Sequence, residues 1–117
     1  MKTKKNWDLI SEITKAMKKN MIQYRKTGTT PWGHSTAMVD LGYQAGHLLK
    51  LKMQLDGERH REGRSKAQLC KLIETELAEV IAISAFIADD LKLDLAAGFQ
   101  NMLDADKKKI RQRSKSR

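Results

Sequence analysis

Residues 73–90 read IETELAEVIAISAFIADD, and how this stretch is covered decides the fold. Between Leu77 and Ala88 only Glu79 and Ser84 are polar. A helix that is apolar on nearly every face has to be surrounded, so this one is expected at the centre of a helical core. Two carboxylates, Glu76 and Glu79, sit three residues apart where the helix enters that core. An ionised group among apolar neighbours is costly unless it is paired or holds a metal. The pair is therefore the first lead to function.

Upstream, Ser65 has the position of an N-cap, so the helix is expected to run from there to about Asp90. Leu69, Leu72, Ile73, Leu77, Val80, Ile81, Ile83, Phe86 and Ile87 give it apolar faces on several sides. Cys70 falls on an apolar stripe and reads as a small buried core residue rather than a nucleophile. Before this helix lies DGERHREGR, a charged connection bounded by Gly57 and Gly63, in which His60 is expected to be solvated. After it, Asp94 in the short link KLDLAAG is placed to cap a further helix that carries Leu95, Phe99, Met102, Leu103 and Ile110.

Ser35 is the expected cap of another helix, from about Thr36 to Leu55, with Met38, Leu41, Ala45, Leu48 and Leu55 as its stripe. Gly42 and Gly46 each lower helix stability by roughly 1 kcal/mol relative to Ala. Their spacing hints at close approach by another backbone or a ligand. The first helix is expected from Asn6, as N-cap, to Tyr24, with Ile10, Ile13, Met17, Met21 and Tyr24 at helical spacing. The segment KTGTTPWGH follows, broken by Gly28, Pro31 and Gly33. Its Trp32 packs onto the body, walls a pocket or stacks on a base.

The fold class is thus all-α, a four-helix bundle within one domain, residues 1–106, followed by a basic C-terminal tail, residues 107–117. The third helix is more apolar than three partners can cover, so at least a dimer is expected. A length of 117 residues suits a single domain with a real core. The longest apolar run, twelve residues, is too short to span a bilayer, and MKTKKNWD lacks a signal-peptide apolar region. One cysteine offers no disulfide framework and suits a reducing cytoplasm.

The net charge of +9 belongs to the ends. Residues 107–117, KKKIRQRSKSR, hold seven positive charges and no negative one, and the first five residues hold three more. The remainder, 6–106, has a net charge of −1. Such a run is usually a solvated tail, with weak, non-specific nucleic-acid contact as its functional alternative.

Two pairs at i, i+3 carry the chemistry: Gln44 with His47 on the second helix, and Glu76 with Glu79 on the third. If these helices pack antiparallel, both pairs face one pocket, and facing carboxylates can hold a divalent metal inside a bundle. Oxygen donors suit Mg²⁺ or Mn²⁺, whereas an imidazole shifts preference toward a transition metal. The plainer alternative leaves Glu76 exposed and pairs Glu79 with a Lys, an Arg or His47.

The stretch ELAEVIAISAFIADDLKLDLAAGFQNML, from Glu76 onward, resembles the second half of the MazG-like all-α nucleoside triphosphate pyrophosphohydrolases. In that superfamily a helix bearing Glu-x-x-Asp leads into an apolar run, a short "lgidl" link and a final helix. The family's first motif, Glu-x-x-Glu, is matched in position by QAGHLLK, residues 44–50. The resemblance spans roughly residues 36–110. It implies a homodimer or homotetramer that hydrolyses a nucleotide between its α and β phosphates, releasing pyrophosphate. It also implies Glu76 and Glu79 as catalytic metal ligands, and Gln44 and His47 in the two remaining ligand positions. Lys50 in this context and Trp32 in the loop are the candidate substrate-binding residues. The chain departs from the pattern where Gln44 and His47 replace carboxylates, where Glu79 replaces Asp, and on the last helix at Met102 and Asp106.

Three functions follow as expectations: a divergent metal-dependent pyrophosphohydrolase; a catalytically lapsed relative that binds a nucleotide or partner; and a helical oligomer that uses its basic ends on nucleic acid.

Overall fold

The computed structural model describes residues 2–28 and 33–115, the first six as backbone alone, and every described element is a helix. In chain order these are α1 (Lys2–Lys26), α2 (His34–Leu55), α3 (Lys66–Asp90) and α4 (Leu95–Lys115). No helix is long and apolar enough to cross a membrane among the described residues. Trp32 lies outside them.

As expected, α3 is central. Both α2 and α1 pack against it and run antiparallel to it. Ile83, Phe86 and Ile87 of α3 bury against Ala37 of α2, and Met17, Met21 and Leu41 close the cluster. At the other end of the pair, Leu51 and Leu69 are fully buried together with Gln54. Among the described residues nothing covers the outer face of α3, where Leu77 and Ile81 are each 49% exposed.

The ends of α3 follow from local chemistry. The Ser65 hydroxyl accepts from the Gln68 backbone N–H at 3.1 Å, and the Gln68 side chain accepts from Ser65 N–H at 2.8 Å. This reciprocal box satisfies two donors that a helix start leaves orphaned. At the far end, Leu93 N–H reaches Ala88 O and Lys92 N–H reaches Asp89 O. That pattern closes a helix through a left-handed residue. Lys92 takes the position at φ 57°, which a Cβ makes unfavourable and which glycine adopts freely. Gly57 does the same job after α2, at φ 81°.

Several expectations need correction. Asn6 lies inside α1, which begins by Lys2, so it is not a cap. Ser35 lies inside α2, whose N-cap is Gly33 with no side-chain bond of its own. The cap is supplied from another helix instead: Asp90 Oδ2 of α3 accepts the His34 backbone N–H at 2.9 Å, placing a carboxylate at the positive end of α2. Cys70 is exposed, because it sits one position round from the buried Leu69. Gly42 and Gly46 have nothing within 4 Å of a Cβ position, so no backbone approaches them among the described residues.

The largest departure concerns α4. It contains no buried residue, and only Leu95, Ala96 and Leu103 are half-covered. The bundle core is therefore made by three helices, with α4 extending beyond it. The basic segment 107–117 is not irregular over its described part, since α4 continues through Lys115. The radius of gyration, 18.0 Å, records this extension; a compact chain of this length has about 13 Å.

Candidate functional site

The inward stripe of α2 passes through the buried Ala37 and Leu51 and the half-buried Leu41, Gln44 and Leu48. Gln44 and His47 thus lie on the face turned to α3, where antiparallel packing sets them against Glu76 and Glu79. Glu76 is only 7% exposed, between the two apolar clusters that hold the helices together. Its Oε1 lies 2.8 Å from His47 Nδ1. With the carboxylate oxygen as acceptor, Nδ1 is the donor of this bond. Tyr43 stacks on the same imidazole, with ring centroids 6.5 Å apart and planes 21° from parallel.

Gln44 completes the pairing. With its amide nitrogen turned to α3 it donates to Glu76 Oε2 at 2.8 Å and to Glu79 Oε2 at 3.2 Å. The hydrogen-bond network selects this orientation, because the opposite one points the amide oxygen at acceptors. A neutral donor thus bridges two carboxylates. The alternative in which Glu76 is exposed and Glu79 pairs with a Lys, an Arg or His47 is overturned among the described residues, since Glu76 is the buried member and the one that meets His47.

Asp40 is the residue that sequence reading missed. It lies one turn before Gln44, is half-buried, and comes close enough to add to the negative field at Glu79. Burial first, then the charges of Glu76 and Asp40, raise the proton affinity of Glu79 above the ordinary carboxylate range, against a smaller opposing effect of His47. The spacing of residues 40, 44 and 47 marks a single helical face, and that was the available signal.

A groove of about 480 Å³ opens beside this seam. Met17, Met21 and Tyr24 of α1 form its apolar wall, and Asp40, Gln44 and Glu79 supply its polar side. Its volume lies within the ordinary range for small-ligand sites. Glu76 and His47 sit one turn further along the seam. A second groove, of about 520 Å³, lies between α1 and the junction of α3 with α4; it carries the Lys18–Asp89 ion pair at 2.6 Å and none of the expected site residues. Lys50 does not line the first groove: its Nζ lies 3.7 Å from Glu62 Oε1 on the connection after α2.

The donor set is two carboxylates, a nearby third, an amide and an imidazole. Among the described residues, no group of three or more His, Cys, Asp or Glu side chains is drawn together as a metal-ligand cluster. The raised proton affinity of Glu79 comes first from burial and then from the charges of Glu76 and Asp40, which His47 only partly opposes. The carboxylate oxygens are of the donor type that a hard cation takes.

No protein-family model, characterised protein or solved structure matches the chain.

Proposed function

We propose that the protein is a MazG-like, metal-dependent nucleoside triphosphate pyrophosphohydrolase with an altered first motif. The observation that carries this reading is the convergence of Gln44 and His47 with Glu76 and Glu79 across one helix seam, beside a groove of ligand size. Lys92 adds support, because its left-handed backbone falls where the resembling link "lgidl" has its glycine. The uncovered Leu77 and Ile81 suit the homodimer or homotetramer that the same reading implies. A single exposed cysteine suits a cytoplasmic setting.

In this reading Glu76 and Glu79 would hold Mg²⁺ or Mn²⁺, with the Asp40 carboxylate nearby, Gln44 in the remaining position once its amide turned, and His47 as a nitrogen donor for a softer metal. When bound, the cation would offset phosphate charge. His47 and Gln44 fix the Glu76 carboxylate between them, so that it is oriented before substrate arrives. Glu79 would take the proton from a water that attacks the α-phosphorus. The bond to the bridging oxygen breaks and pyrophosphate leaves. Met17, Met21 and Tyr24 provide the apolar surface for the base.

The assay is pyrophosphate release from a panel of nucleoside triphosphates with Mg²⁺, Mn²⁺ or Zn²⁺. The expected result is turnover that Glu79→Ala abolishes. No release under any condition removes the enzymatic reading. A second reading is favoured by the Gln44 amide, which already occupies the space between the carboxylates: a protein that binds nucleotide without hydrolysing it. Thermal stabilisation by nucleotide without turnover selects it, and no stabilisation rejects it.

A further inference from the structure

The basic end of the chain is not absorbed by the seam between α2 and α3. Lys107, Lys108, Lys109, Arg111, Arg113 and Lys115 all lie on the described part of α4, and each is exposed. None of the six forms an ion pair with the body among the described residues. Acidic side chains stop at Asp106. The cations are therefore displayed on a helix that extends past the bundle core.

Helical geometry sorts them into two flanks. At about 100° per residue, Lys107, Arg111, Lys115 and Lys108 fall within an arc of about 100°. Lys109 and Arg113 fall on a second flank, centred about 165° from the first. Ile110 and Ser114 separate the flanks on one side and Gln112 on the other. Charge of one sign on opposite sides of a single helix is complementary to a groove with two anionic walls. The major groove of B-form DNA has that shape: it is about 12 Å wide, admits an α-helix and is bounded by two phosphate backbones. The deep, narrow major groove of an RNA duplex does not admit one. An anionic membrane is a poorer match, because a helix lying on lipid needs an apolar face. Beyond Leu103, Ile110 is the one large apolar side chain of α4.

We propose that residues 107–115 of α4 form a sequence-independent binding element for double-stranded DNA, seated in the major groove with its two basic flanks on the two phosphate walls. Binding rests on phosphate neutralisation. With six cations engaged, affinity falls about a thousandfold between 50 and 200 mM salt. Asp104 and Asp106, just upstream on the two flanks, set the near limit of the contact through repulsion.

The test is fluorescence anisotropy of the full chain on a mixed-sequence 20-base-pair DNA duplex across that salt range, beside an RNA duplex and phosphatidylserine vesicles. Two variants probe the flanks separately: Lys107→Gln with Arg111→Gln and Lys115→Gln, and Lys109→Gln with Arg113→Gln. Gln has nearly the helix propensity of Lys and Arg, so the helix is preserved, which circular dichroism checks. The expected result is that each variant weakens DNA binding and lowers the salt slope by about one per charge removed. Loss of binding through one flank only overturns the groove geometry. DNA binding that neither variant weakens, equal or tighter binding to the RNA duplex or the vesicles, or no binding at 50 mM salt overturns the proposal.

Discussion

The seam between α2 and α3 and the fourth helix use apolar residues at similar spacing, yet they end in opposite environments. Along the seam, Ala37, Leu51, Leu69 and Ile83 are buried, and even Glu76 and Gln54 are taken inside. Along α4, Met102 and Ile110 remain about half exposed or more. The difference lies in what the chain can bring opposite each helix. The connection from Asp56 to Ser65 folds α2 back along α3, whereas the left-handed turn at Lys92 carries α4 past the end of the bundle. An amphipathic pattern states that a helix can be buried. Its connections decide whether a partner is there.

The sharpest way to break this comparison is truncation in both regions. Leu51→Ala removes a fully buried side chain and is expected to cost about 2–5 kcal/mol in chemical denaturation. Ile110→Ala, at a position 62% exposed, is expected to stay within about 0.5 kcal/mol. A cost at Ile110 comparable to that at Leu51 would mean that α4 is packed in an assembly.

A smaller effect probes the polar part of the seam. Glu76→Ala strips His47 and Gln44 of their shared acceptor and is expected to destabilise by about 1–3 kcal/mol, the lower end reflecting the partial exposure of His47. The proposed divalent-metal and nucleotide binding is expected to be lost with it. If metal binding, read by calorimetry, survives in Glu76→Ala, the carboxylate serves packing alone.

The smallest change in stability has the opposite sign. Glu79 is held above its ordinary value of 4.5 by burial and by the charges of Glu76 and Asp40. A carboxylate with a raised folded-state pKa costs stability above that raised value, and the cost disappears as pH falls through it toward the ordinary value. Glu79→Gln is therefore expected to raise the melting temperature slightly at pH 7, with the gain vanishing in acid, while the proposed hydrolysis is lost. A lower melting temperature at pH 7 would show that the charge is already balanced.

Much of the architecture was legible because its signals are local. The apolar run Leu77–Ala88 identified α3 as the central helix, and Ser65 and Asp94 announced the starts of α3 and α4, where Asp94 Oδ1 accepts from Ala97 N–H at 3.0 Å. The pairs Gln44 with His47 and Glu76 with Glu79 were legible as faces, since residues three apart share one. Asp40 was not singled out, because an acidic residue near the start of a helix is equally expected in solvent. Cys70 was misread because a helix carries each residue about 100° round from the last, so a position beside Leu69 can leave the core.

The amino-acid sequence by itself determined the helices, most of their boundaries and the two polar pairs, because helical periodicity and capping act within a few residues. Tertiary structure decided the rest. It made Glu76 rather than Glu79 the buried partner of His47, turned the Gln44 amide toward both carboxylates, and supplied the cap of α2 from Asp90, 56 residues along the chain. Each of these depends on the rotation and register of one helix against another. Those are set by how whole faces pack, and no short stretch of sequence encodes them.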